Sequence, residues 1–295
     1  KRYKMKDYKK LIAIFSALAI IVSVLTSCSV KINLPSKKNT TTYEAVEEST
    51  LPLTVKVTIP EGYTVLQIAQ RLEENHVCSK SAFLELCKRP IEGFNLENTE
   101  DRYYPVEGYL FPDTYEFYSN TSPQEALNKF IENYKVKITD EYKTKAEKLG
   151  YTMDEMLTLA SIIQKECDKD IAECQKVSAV FHNRLKSPDF PTLGSDVTTF
   201  YITKNLGELL GYNSNVEMSE QNADVRKYID LYSTYYCKGL PVGPICNPGT
   251  KAIEAALNPS DEDYYYFLTD PSGEHFYYAK TDSEHQANAR EAGLY

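Results

Sequence analysis

The chain has 295 residues, enough for an anchoring segment plus one or two domains with a buried core, and its composition is globular at 42% hydrophobic and 25% charged. Net charge is −9, yet the first ten residues hold six Lys/Arg against one Asp, so everything after them sums to −14. An acidic body excludes nucleic acid as a partner, because that requires a basic footprint. Tyr is used 24 times and Trp not at all. Either the parent proteome is Tyr-biased or the surface suits polar ligands such as sugars, for which each ring offers an apolar face and a hydroxyl tip.

Residues 1–10 are basic, and residues 11–30 then run without a charge. About twenty apolar residues can span a bilayer, and a basic flank keeps that end in the cytoplasm. The same stretch allows a second reading. Leu25-Thr26-Ser27-Cys28 is similar to a lipoprotein cleavage box in which Cys28 becomes the lipidated end. Both readings put the body on the outer face of a cell membrane, single-pass or lipid-anchored. Residues 31–50 are polar and read as a tether.

Folded sequence starts near residue 51. Val55, Val57 and Ile59 alternate with polar residues, which predicts a short strand. Pro60-Glu61-Gly62 is a turn. Val65, Ile68, Ala69 and Leu72 lie at helical spacing, and a second helix starts at Ser81. Residues 51–100 thus form a small module, and residues 101–295 a larger domain. In the latter, Glu107 to Phe117 predicts strand, turn, strand around Pro112. Ser122-Pro123-Gln124-Glu125 opens a helix expected to run to about Lys148 and stop at Gly150. Thr152 to Glu155 is another capping box, followed by Met156, Leu159, Ala160 and Ile163 on one helical face. A further helix carries Cys174, Val177, Val180, Phe181 and Leu185, ended by Pro188 and Pro191. Loops with one or two short helices fill 201–235. A helix over 251–257, a hairpin around Pro271-Ser272-Gly273 and a terminal helix over 283–292 complete the chain. The pattern is α+β.

Glu166 is the first candidate for chemistry. At 100° per residue it falls within about 20° of Leu159, at the edge of the apolar stripe. A carboxyl there is desolvated, its pKa rises, and a general acid near neutral pH becomes available. An ordinary boundary Glu fits the same pattern. Leu193-Gly194-Ser195-Asp196-Val197-Thr198-Thr199-Phe200-Tyr201 mixes a carboxylate, hydroxyls and aromatics. It reads as a cleft-lining loop or a capped helix start. Two Gly and two Pro between Gly243 and Gly249 fix an unusual backbone, either a cleft wall or a stiff connector. The four His are scattered and no Cys-x-x-Cys occurs, so no zinc-ligand spacing exists. Seven Cys leave six once Cys28 is set aside, with 15 pairings open.

Taken in order, four blocks resemble the YceG-like family of endolytic murein transglycosylases. They are Glu107-Gly-Tyr-Leu-Phe-Pro-Asp-Thr-Tyr115, Ala160-Ser-Ile-Ile-Gln-Lys-Glu166, Leu193 to Tyr201, and Tyr235 through Gly239-Leu-Pro-Val-Gly-Pro-Ile-Cys-Asn-Pro-Gly249. Ala255-Ala-Leu-Asn-Pro259 and Tyr264-Tyr-Tyr-Phe267 continue it. The resemblance implies a LysM-like module over 51–100 and a transglycosylase domain over 101–295. It implies that Glu166 is the catalytic acid/base, with Asp196, Thr198, Tyr201, Tyr235, Asn247 and Glu107 on the substrate side. It implies no metal or cofactor. The implied reaction cleaves the MurNAc–GlcNAc bond of nascent peptidoglycan strands to 1,6-anhydro ends, and peptidoglycan synthases are the implied partners. Gly194 and Val197 depart from the family's usual Gln and Pro, which puts any contact made by that Gln in doubt. Two rival expectations stand beside this one. One is a hydrolase with Asp196 as second carboxyl, and the other a non-catalytic wall-binding protein.

Overall fold

The computed structural model describes residues 53–294 apart from residues 93, 95, 97 and 98. The basic end, the apolar stretch 11–30, Cys28 and the polar stretch 31–50 lie outside these residues. Among the described residues no helix is long and apolar enough to cross a membrane.

Strand β1 (Thr54–Thr58) leads through the Gly62 turn into α1 (Val65–Glu74) and α2 (Lys80–Cys87). Thr64 caps α1 with a full capping box, and Val65, Ile68, Ala69 and Leu72 are its buried face, as the spacing predicts. β1 then pairs antiparallel with β2 (Thr114–Tyr118), Val57 opposite Tyr115. This pairing joins residues on the two sides of position 100. The inward faces of β1 and β2 meet Phe83, Phe117 and Phe130 in one aromatic cluster.

The segment before β2 is not a strand. Residues 105–111 form buried turns, because Gly108 takes φ +89° and Leu110 donates its N–H to a side chain, Asn247 Oδ1. A Cβ on Gly108 would lie 2.5 Å from Pro244 Cγ. The positive φ strains any L side chain, and Pro244 cannot retreat, since its neighbour Ile245 donates its N–H to Ser161 Oγ. Gly108→Ala is therefore expected to cost about 2–4 kcal/mol in denaturant unfolding. A loss below about 0.5 kcal/mol would show that the loop yields.

The helix expected over 122–148 is two: α3 (Pro123–Lys137) and α4 (Asp140–Leu149). Ile138 is extended, and Thr139 starts the second helix by accepting from Tyr142 N–H. Thr139-Asp140-Glu141 is itself a helix-start signal, a cap followed by acidic residues in the first turn.

Helix α5 (Met153–Glu166) is the centre of the fold. Met156 through Ile163 are buried in succession, so the helix is covered all round instead of along the one stripe its spacing predicts. α6 (Ile171–Lys186) and α10 (Thr250–Leu257) pack against it. Between them the chain forms α7 (Asp196–Phe200), a π-helical turn at Tyr201–Asn205, α8 (Gly207–Leu210) and α9 (Ala223–Tyr232). That is more helix than the sequence shows. A hairpin of β3 (Tyr266–Thr269) and β4 (Phe276–Ala279) and the terminal helix α11 (Asp282–Glu291) fall where the pattern places them. The protein is mixed α+β, with small two-stranded sheets around a helical core.

Candidate active site

A capping box opens α5: Thr152 Oγ1 accepts from Glu155 N–H, and Glu155 returns the bond to Thr152 N–H. Fourteen residues later the helix ends on Glu166, because Cys167 is extended. The last turn thus carries its carboxyl out of the core to a partly exposed position, where Oε1 accepts from Ser195 Oγ at 2.5 Å. Burial pushes the Glu166 pKa above the ordinary carboxylate range. The Ser195 hydrogen bond opposes the rise, the charge of Asp196 adds to it, and Arg184 opposes it.

Ser195 is placed by a buried hydroxyl cluster. Its N–H donates to Thr234 Oγ1 at 2.9 Å, and its carbonyl accepts from Thr198 Oγ1 at 2.7 Å. Thr198 and Thr234 are fully buried and 3.0 Å apart. Thr198, a predicted substrate-side residue, therefore holds the loop from inside. Gly194 takes φ +63°, and a Cβ there would lie 3.7 Å from Arg184 Nη1 and 3.8 Å from Tyr235 Cε1. The left-handed backbone favours the Gly that departs from the family pattern.

Arg184 was missed by sequence reasoning. It reads as an ordinary basic residue in a last helical turn, yet it sits seven residues after Val177 and three after Phe181, on the buried face of α6. Its guanidinium donates to Leu193 O at 2.5 Å and Tyr265 O at 2.6 Å and lies over the Phe190 and Tyr266 rings. It is the cation that the Glu166 carboxyl senses.

Asp196 is exposed and accepts from Tyr235 OH at 2.7 Å. Burial and that bond push the Tyr235 hydroxyl up to about 12, so it remains a donor. Tyr235, Tyr236 and Phe200 are all exposed. The Leu193 loop thus brings Glu166, Ser195, Asp196 and Tyr235 together around one partly open carboxyl, a set able to deliver a proton and to stack a sugar.

Glu107, Tyr201 and Asn247 are brought together elsewhere, in the core. Glu107 is 1% exposed and accepts from Val65 N–H at 3.0 Å, Asn247 Nδ2 at 2.9 Å and Tyr201 OH at 3.2 Å. Desolvation raises its pKa to about 8 against these donors and Lys165. Asn247 also exchanges backbone hydrogen bonds with Gly62 and Tyr63. The Pro/Gly loop that carries it is buried against α5. Ile245 N–H meets Ser161 Oγ, and Gly249 N–H meets Gln164 Oε1. A groove of about 390 Å³ opens between α1 and the π-helical turn, lined by Tyr63, Gln67, Arg71, Lys204 and Asn205 among others.

Comparison with known proteins adds the family context. The YceG-like family matches residues 34–291. A protein of Streptococcus pneumoniae serotype 2 (strain D39) named endolytic murein transglycosylase is 30% identical over 263 residues, 83% of this chain and 46% of its own. One of the same name from Bacillus subtilis (strain 168) is 30% identical over 224 residues, 72% of this chain and 58% of its own. The crystal structure of a YceG-like protein from Listeria monocytogenes superposes with a TM-score of 0.65 at 31% identity, covering 79% of this chain and 75% of that one. The chain spans about half the length of the curated relatives it matches.

Proposed function

The chain belongs to the YceG-like family, and from that premise we propose that it is a lytic transglycosylase of peptidoglycan glycan strands with Glu166 as its acid/base. The observation that carries this reading is the partly exposed Glu166 carboxyl at the end of α5, held by Ser195 Oγ, with burial raising its pKa. Glu166 protonates the oxygen between MurNAc and GlcNAc. The carboxylate left behind then takes the proton of the MurNAc 6-hydroxyl as that oxygen closes on C1. The product carries a 1,6-anhydro end and no water is consumed. Because the nucleophile belongs to the same sugar, proximity supplies much of the barrier reduction, and one carboxyl suffices where hydrolysis needs two. Asp196 and Tyr235 face the developing positive charge.

Residues 51–100 act as a LysM-like module, with the groove beside Tyr63 and Lys204 holding the strand. Residues 11–30 anchor the protein at the outer face of the cell membrane, as an uncleaved span or through Cys28. Cutting nascent strands there limits their length and makes peptidoglycan synthases its partners. The groove supports the module's role, and composition and the family resemblance support the anchor and the partners.

One observation favours a second reading. Asp196 lies close enough for its charge to raise the Glu166 pKa, so a hydrolase with Asp196 as second carboxyl is the alternative. Mass spectrometry of glycan strands digested by the full chain separates the two. Ends lighter by one water are anhydro and support the transglycosylase, whereas reducing ends overturn it. Asp196→Asn is expected to retain anhydro products with kcat reduced by no more than about tenfold. A fall of about 10²–10⁴-fold in that variant would give Asp196 a base's role and favour the hydrolase.

A further inference from the structure

Past Glu166 the chain has four residues before α6, and Asp168-Lys169-Asp170 is a polar run with no apolar side chain to fix it. A disulfide fixes this connection instead. Cys167, the residue after Glu166, is bonded to Cys174 in the second turn of α6, with Cα atoms 5.6 Å apart. Both are buried, whereas the remaining described cysteines are free. From Cys174, α6 runs ten residues, about 15 Å, to Arg184. There the guanidinium holds Leu193 O, two residues before the hydroxyl that donates to Glu166. The elements therefore close a ring: Glu166, Cys167, Cys174, α6, Arg184, Leu193, Ser195 and back to Glu166. Besides the disulfide, the corner next to Glu166 is held by Lys251 Nζ on the carbonyls of Asp168 and Lys169, by the Cys167 N–H on Ile163 O, by Asp170, which accepts from Glu173 N–H and Cys174 N–H at the start of α6, and by packing.

We propose that the Cys167–Cys174 disulfide is a positioning device for Glu166: it sets the last turn of α5 against the Ser195 loop, and reduction lowers the chemical step without removing substrate binding. The proposal rests on the reading of Glu166 as the acid. Reduction by a dithiol breaks the Sγ–Sγ bond, puts two electrons and two protons on the cysteines, and converts the dithiol to its own disulfide. The loosened last turn admits water to the carboxyl, so its pKa falls towards the ordinary range. The protonated acid is then lost at a lower pH.

The test measures initial rates of the full chain on uncross-linked glycan strands, oxidised and after reduction of the folded protein, with thiol titration to confirm two new thiols. Reduction is expected to lower kcat about ten- to a hundredfold with KM within about twofold, the signature of lost alignment. The alkaline limb of the pH–rate profile moves to lower pH, and reoxidation restores both. Cys167→Ser with Cys174→Ser reproduces the reduced enzyme. An unchanged kcat and pH limb after confirmed reduction overturns the proposal. So does a loss of kcat with an unmoved limb, because support of the fold alone gives that result. Oxidised Glu166→Gln separates the two levels: if it retains the wild-type kcat, the acid assignment falls, and the disulfide's role with it. If it is inactive while the wild type is indifferent to reduction, only the disulfide's role falls.

Discussion

Glu166→Gln is expected to lower kcat for strand cleavage by about 10²–10⁴-fold, the range assigned to a positioned general acid. The amide has the same shape, and its oxygen still accepts from Ser195 Oγ, the one hydrogen bond that fixes Oε1. What it lacks is the titrating proton. The side chain is partly exposed, so the amide nitrogen can be solvated and the melting temperature should change little. The pH dependence follows from the raised pKa. The acid form exists below that pKa, so wild-type activity falls as pH rises through it, at a higher pH than an ordinary Glu would give. The same shift favours folding at low pH, where the proton is bound, and that contribution fades as pH rises through the folded-state value. Wild-type cleavage rates in the variant, with anhydro ends intact, would move the acid to another residue.

Much of the position of Glu166 is legible in the sequence, because the signals that fix it are local. The Thr152–Glu155 capping box starts α5, and counting at 100° per residue from Leu159 puts Glu166 at the apolar boundary. The structure leaves Glu166 partly exposed, but because α5 ends there and not because of a stripe boundary, since the helix is covered all round before its last turn. The break at Ile138 is also written locally, in the cap and acidic first turn of Thr139-Asp140-Glu141. Arg184 is different. Its partners are the Leu193 and Tyr265 carbonyls, backbone groups that no residue pattern reports. The buried network of Glu107 is further out of reach, with donors 42, 94 and 140 residues away. The resemblance groups Glu107, Tyr201 and Asn247 with the substrate. Their geometry joins them to each other, which brings the turn at 105–111, the π-helical turn and the Pro/Gly loop to one point behind α5.

That point gives the largest expected effect on stability. Glu107 is buried with a pKa of about 8 against an ordinary value of 4.5. Its folded-state pKa is raised, so its contribution to stability is complete below the unfolded value. It is lost as pH rises through about 8. Integrated over that interval the loss is about 5 kcal/mol, taking 1.36 kcal/mol per unit. Denaturant unfolding from about pH 5 to about pH 9 should show this decline. Glu107→Gln keeps an acceptor for Val65 N–H and Asn247 Nδ2 but cannot ionise, so the decline should flatten and the variant should exceed the wild type in alkaline solution. Glu107→Ala is the opposite case. It strands Val65 N–H, Tyr201 OH and Asn247 Nδ2 in the core without an acceptor, and is expected to cost about 3–5 kcal/mol at neutral pH. A wild type as flat as Glu107→Gln would mean that the three donors, with Lys165 nearby, hold the carboxylate ionised in the core. Desolvation, which raises the pKa, would then be the weaker force at this site.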